Sequence, residues 1–152
     1  MLDPWQPVRV VDPIGSRPAR SRKQKSEKSK PRKRKTRVLV VDDEHLIADT
    51  TTEILKRSGF HATCAYDGQS GLEKALQLNP DIVLTDVVMP HMNGVQLAIA
   101  IRNALPSAQV ILLSGQAGVS DIVERGRLEG YSFELIAKPV HPEKLLKRLL
   151  QT

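Results

Sequence analysis

At 152 residues the chain has room for one hydrophobic core, its apolar runs fall far short of the ~20 residues that span a bilayer, and its single cysteine, Cys64, has no partner for an internal disulfide. The net charge of +6 belongs to one end: Met1 to Arg37 hold thirteen Lys and Arg against three acids, and the remainder holds ten against fourteen.

The chain opens on Met1 to Val11, where Asp3, two prolines and Arg9 interrupt any apolar stretch; a secretory leader is therefore not expected, and a cytoplasmic setting is. Between Arg17 and Arg37 the only apolar residue is Ala19, too little to offset the entropy of ordering. Residues 1–36 are expected to be a disordered basic tail and 37–152 the folded domain. From Val38 short apolar runs alternate with segments of helical period, the pattern of repeated βα units around a parallel sheet. Val38 to Asp43 predicts the first strand and Glu44 to Ser58 a helix, closed by Gly59 in a left-handed conformation. His61 to Tyr66 predicts a second strand with Cys64 as a buried, reduced thiol. A helix over Gln69 to Leu78 stops at Asn79-Pro80. Ile82 to Asp86 follows as a strand, then a helix over Gly94 to Leu105. Gln109 to Leu113 predicts the fourth strand, and Ser120 to Leu128 a weaker helix, because Gly126 and Gly130 lower its intrinsic helicity. Phe133 to Ala137 and a helix from Pro142, with Leu145, Leu146, Leu149 and Leu150 as its stripe, complete five units.

Three of these strands end in charge. Val-Leu-Val-Val-Asp-Asp runs from Val38 to Asp43, Ile-Val-Leu-Thr-Asp from Ile82 to Asp86, and Ile-Ala-Lys-Pro from Ile136 to Pro139. Parallel strands covered on both faces place their carboxyl ends at a shared crevice, which would bring Asp42, Asp43, Asp86 and Lys138 together. Converging carboxylates repel unless a hard divalent cation lies between them, and a lysine opposite suits phosphoryl oxygens. The set points to Mg2+ and phosphate chemistry. His45, His61, His91 and His141 lack metal-ligand spacing and read as surface or cap residues.

Val40 to Glu44 (Val-Val-Asp-Asp-Glu), Asp86 to Gly94 (Asp-Val-Val-Met-Pro-His-Met-Asn-Gly), Leu113-Ser114-Gly115 and Lys138-Pro139 resemble, in this order, the motifs of the receiver domain of two-component response regulators, the family of single-domain chemotaxis regulators. The resemblance covers residues 38–151. It implies a flavodoxin-like doubly wound α/β fold with five parallel strands in the order 2-1-3-4-5. It further implies that Asp86 is the phosphoacceptor, that Asp43 ligates Mg2+ directly and Asp42 through water or hydrogen bonds, and that the Val88 backbone carbonyl adds an oxygen. Lys138 and Ser114 would contact the phosphoryl group, with Gly115 leaving it space. Implied partners are a sensor histidine kinase or histidine phosphotransfer protein and a downstream protein; the domain would be a stand-alone phosphoacceptor, not a conventional enzyme. The family often has an aromatic residue three positions before the strand-five lysine, where this chain has Leu135, so the usual aromatic switch is not expected. An alternative reading makes the cations from Lys23 to Arg37 a nucleic-acid contact without sequence specificity. An aspartate-based phosphatase would want a second acid two residues after its nucleophile, where Val88 stands.

Overall fold

The computed structural model describes residues 31–115 and 119–152. Most of the basic tail expected over residues 1–36 lies outside the described residues; 31–36 carry no regular secondary structure. Five strands alternate with five helices: β1 (Arg37–Val41), α1 (His45–Arg57), β2 (His61–Ala65), α2 (Gly68–Leu78), β3 (Ile82–Asp86), α3 (Gly94–Ala104), β4 (Gln109–Ser114), α4 (Val119–Leu128), β5 (Glu134–Ala137) and α5 (Pro142–Leu150). All strand pairs are parallel and the order is β2-β1-β3-β4-β5, a flavodoxin-like arrangement in which β1 leads first to one side of the sheet and then to the other.

The alternation of side chains along each strand sorts the core into two layers. Leu39, Val41, Val83, Val110 and Leu112 meet α2, α3 and α4 through Ala75, Leu97, Ile101 and Val119. Val38, Val40, Ile82, Leu84, Ile111 and Leu113 meet α1 and α5 through Leu55, Leu145 and Leu149. Since β1, β3 and β4 are apolar on both faces, they read in the sequence as unbroken Val, Ile and Leu runs, as strands buried on both sides do. Element ends follow local chemistry. Gly59 takes φ +94 just past α1, Asn79 takes φ +47 at the end of α2, and Pro142 occupies the first turn of α5.

One detail departs from expectation. Cys64 is half-buried rather than buried, because β2 is an edge strand whose Cys64 side faces the polar Asp49 and Tyr66. α4 is continuous through Gly126, which is buried; a Cβ there would stand 2.8 Å from Val95 Cγ1, so the glycine lets α4 approach α3. Before β1, the Arg34 guanidinium donates to both carboxylate oxygens of Asp81 at 2.9 and 2.8 Å, and the Arg37 N–H donates to the same group at 2.8 Å.

Candidate functional site

β1 and β3 lie side by side in register, Val41 opposite Thr85, so the residues that follow them emerge at one end of the sheet. Asp42 and Asp43 leave β1 and Asp86 ends β3, and each offers a carboxylate oxygen within 4.8 Å of the others. From the far side, Lys138 follows β5, which pairs with β4. Its Nζ donates to Asp42 Oδ2 at 2.8 Å and lies 3.6 Å from Asp86 Oδ2. The Lys138–Pro139 peptide bond is cis, and the Lys138 N–H donates to the Ser114 carbonyl at 2.7 Å. Thus Asp42, Asp43, Asp86 and Lys138, from three separate stretches of sequence, converge as their strand-end positions predict.

The four do not share one environment. Asp42 is buried, and its second oxygen accepts the Glu44 N–H at 3.0 Å, so it also anchors the start of α1. That second duty is the one an Asp just ahead of a helix favours. Burial is the main cause pushing the Asp86 carboxyl above the usual carboxylate range; Lys138 opposes it, while Asp42 and Asp43 add to it. Burial alone would lower the Lys138 ammonium, but the hydrogen bond and charge of Asp42, with the charge of Asp86, outweigh it and hold the group above the usual lysine value. The lysine is a fixed cation facing a carboxylate that is costly to ionise.

The loop after Asp86 is closed by the Gly94 N–H donating to the Val87 carbonyl at 2.8 Å. A Cβ on Gly94 would stand 2.0 Å from the Asp86 carbonyl oxygen, an overlap no side chain can tolerate. Asn93 and Gln96 then cap α3 reciprocally. Val88 is partly exposed beside the site. Ser114 ends β4 and is paired with Ala137, next to Lys138. At Gly115 a Cβ would meet Lys138 side-chain carbons at 3.3 Å. A cleft of about 420 Å³ between α1 and α5, walled by Ile47, Ile54, Val140 and Leu145, opens onto Asp86 and Lys138. Leu135 sits on β5 and is 45% exposed, on the opposite strand face from Ile136, which packs against the α1 and α5 layer.

Of the histidines, His61 and His91 are exposed, His141 precedes α5 as its N-cap, and His45 begins α1. No metal-ligating cluster other than the acidic trio occurs among the described residues, and no helix among them is long and apolar enough to cross a membrane.

Comparison with known proteins agrees with this geometry. Residues 38–150 match the response regulator receiver domain family. Protein PilG of Pseudomonas aeruginosa is 36% identical over 112 residues, 72% of this chain and 82% of that protein. The DNA-binding response regulator MtrA of Mycobacterium tuberculosis is 32% identical over 115 residues, 76% of this chain and 49% of that protein; the chain spans about half the length of the mycobacterial relatives it matches. Among solved structures, a CheY-like receiver domain protein from Methanospirillum hungatei superposes with a TM-score of 0.70 at 28% identity, covering 78% of this chain and 93% of that one. Chemotaxis protein CheY4 of Vibrio cholerae gives 0.68 at 27%, covering 78% and 98%. With its fold, its strand-end acids and its lysine in these positions, the chain belongs to the response regulator receiver domain family.

Proposed function

We propose that the domain accepts a phosphoryl group on Asp86 from the phosphohistidine of a sensor kinase or phosphotransfer protein. It then signals through protein contacts that depend on that modification. The observation that carries this reading is the placement of Lys138 Nζ, 2.8 Å from Asp42 and 3.6 Å from Asp86, against three carboxylates within 4.8 Å of one another. Such a set is short of positive charge. Its donors are all carboxylate oxygens, and the Val88 carbonyl would add another, a composition that suits Mg2+. Asp42, Asp43 and Asp86 would hold the ion, which when bound supplies positive charge to the carboxylates and to the phosphoryl oxygens.

In the transfer an Asp86 carboxylate oxygen forms a bond to phosphorus as the phosphorus–nitrogen bond of the donor histidine breaks, and the imidazole takes up a proton. The covalent work asked of the protein is small. Lys138 remains charged and offers its ammonium to an equatorial oxygen, Ser114 donates its hydroxyl to the transferred group, and Gly115 keeps the approach open. The product carries roughly −1.5 to −2 charge where one carboxylate stood. That added charge redistributes Lys138 between Asp42 and the phosphoryl oxygens, and Lys138 is joined through Ser114 to the end of β4, so the change reaches the α4, β5 and α5 surface that carries Leu135. The domain is in this reading a phosphoacceptor, not a conventional enzyme, working in the cytoplasm, a setting in keeping with the free thiol of Cys64. The test is transfer from a phosphorylated histidine phosphotransfer protein to the chain in Mg2+. The label is expected on the peptide containing Asp86; transfer that survives Asp86→Asn would overturn the assignment.

A further inference from the structure

The helices of this domain are not started in the same way. α2 begins under Asp67, whose carboxylate accepts the Ser70 N–H at 2.7 Å, and α3 under the reciprocal pair of Asn93 and Gln96. α1 is the helix that carries the acidic turn, yet Glu44 at its N-cap makes no side-chain capping bond among the described residues, and its first turn holds no acid. Its start is held by the Asp42 carboxylate, which accepts the Glu44 N–H at 3.0 Å, and from the end of β2. The Asp42 N–H donates to the Ala65 carbonyl at 3.1 Å, which sets Tyr66 beside the first turn of α1. Tyr66 then touches the helix twice. Its ring stacks on His45 with centroids 3.9 Å apart and planes 14° apart, and its hydroxyl donates to Asp49 Oδ1 at 2.6 Å. His45 and Asp49 are four residues apart and so share one helix face. The Cys64 thiol approaches the same carboxylate at 3.5 Å and the same hydroxyl at 3.6 Å.

We propose that Tyr66 is a positioning residue for the metal end of the site. By gripping α1 at His45 and Asp49 it fixes the Asp42-Asp43-Glu44 turn, and with it the distance from the Asp43 carboxylate to Asp86. The inference rests on the reading of the acidic trio as a Mg2+ site. Among the three, Asp42 is tied down by Lys138 and by the Glu44 N–H, and Asp86 is part of β3, itself paired with β1 and β4. The Asp43 side chain makes no hydrogen bond among the described residues, so its place is dictated by the backbone on either side. Like charges within 4.8 Å push that turn outward until a cation arrives. Tyr66 resists that displacement. The Asp49 carboxyl is drawn below the usual range chiefly by the Tyr66 hydroxyl, and the phenol is pushed up by Asp49, so the proton of this bond stays on Tyr66.

The test uses the full chain, with Mg2+ affinity read by calorimetric titration and the rate of phosphorylation by acetyl phosphate read across Mg2+ concentrations. Loss of one hydrogen bond or one ring stack corresponds to a several-fold change in an equilibrium constant. Tyr66→Phe, which keeps the stack, is expected to raise the half-saturating Mg2+ concentration about 3-fold, and Tyr66→Ala about 10-fold. Rates at saturating Mg2+ should stay close to the unaltered protein. Asp49→Asn, whose amide oxygen still accepts the phenol, should weaken Mg2+ less than Asp49→Ala. A purely structural role would lower the melting temperature and leave the Mg2+ dependence unmoved; that result in folded Tyr66→Ala overturns the proposal. Should Tyr66→Ala not fold, unmoved Mg2+ dependence in both Tyr66→Phe and Asp49→Ala overturns it equally. Failure of the unaltered protein to bind Mg2+ at tens of millimolar is a separate result, which removes the site reading and this inference with it.

Discussion

Asp86→Asn should make the metal-free protein more stable. The substitution removes one charge from a trio whose oxygens lie within 4.8 Å of one another, and it also removes the attraction of Lys138 at 3.6 Å. At an effective dielectric constant of about 20, each carboxylate pair at that separation repels by about 3.5 kcal/mol and the lysine attracts by about 4.6 kcal/mol, leaving Asp86 with a net cost of about 2 kcal/mol. Asp86 is 14% exposed in its side chain, and screening brings the expected gain to about 1–2 kcal/mol, roughly 4–10 °C in a domain of this size. The assay is thermal unfolding in EDTA at neutral pH. Since the folded-state pKa of Asp86 is raised, principally by burial, its charge costs stability above that value and nothing once both states are protonated. The advantage of Asp86→Asn should therefore shrink as pH falls from the raised value through the ordinary carboxylate value of about 3.9. Mg2+ at tenfold excess over its dissociation constant should return about 1.4 kcal/mol to the wild type and less to the variant. A variant melting at or below the wild type in EDTA would refute the reasoning, because the trio would not then be a site of uncompensated charge.

Gly94→Ala should cost about 1–3 kcal/mol or more: its Cβ would meet the Asp86 carbonyl oxygen at 2.0 Å, and backbone, not a flexible side chain, has to move. Phosphorylation by acetyl phosphate should fall with it, since Asp86 and the Val88 carbonyl shift together; a variant with unchanged melting and rate would contradict the close approach. Asp81→Ala removes the acceptor for Arg34 and leaves the Arg37 N–H without its 2.8 Å partner, a loss of about 1–2 kcal/mol. The Asp81 carboxyl is held below the usual range first by Arg34, so its contribution is present above the ordinary carboxylate value and is lost as pH falls through the lower folded one. Melting curves of wild type and variant should thus converge in acid. Asp81 lies at the other end of β3 from Asp86, about 16 Å away by strand rise, and phosphorylation should be unaffected.

The doubly covered parallel sheet is legible in the sequence because β1 and β3 are apolar on both faces and end in charge, whereas the strand order follows from the resemblance to receiver domains. Val38 to Val41 and Ile82 to Thr85 have no polar alternation to place at a solvent face, so only a doubly covered parallel sheet accommodates them. Convergence of Asp42, Asp43, Asp86 and Lys138 follows from that geometry alone. What stayed hidden depends on contacts between distant residues. Gly126 lowers helicity on any local count, yet α4 keeps it because Val95 of α3 lies where a Cβ would go. Cys64 reads as a buried thiol from its apolar neighbours, but it faces the polar pair of Asp49 and Tyr66, and the latter are seventeen residues apart. Neither the grip of Tyr66 on α1 nor the anchoring of Asp81 by Arg34 has a periodic signature. Leu135 shows the opposite case: the missing aromatic is legible directly in the sequence, and the residue is exposed on β5.

Intact-protein mass spectrometry after incubation with acetyl phosphate tests the central claim most directly, with wild type, wild type in EDTA and Asp86→Asn run beside a known receiver. The account predicts a single phosphoryl adduct that requires Mg2+ and is absent from Asp86→Asn. An unmodified wild type beside a modified control, or an adduct that persists in Asp86→Asn, would contradict it.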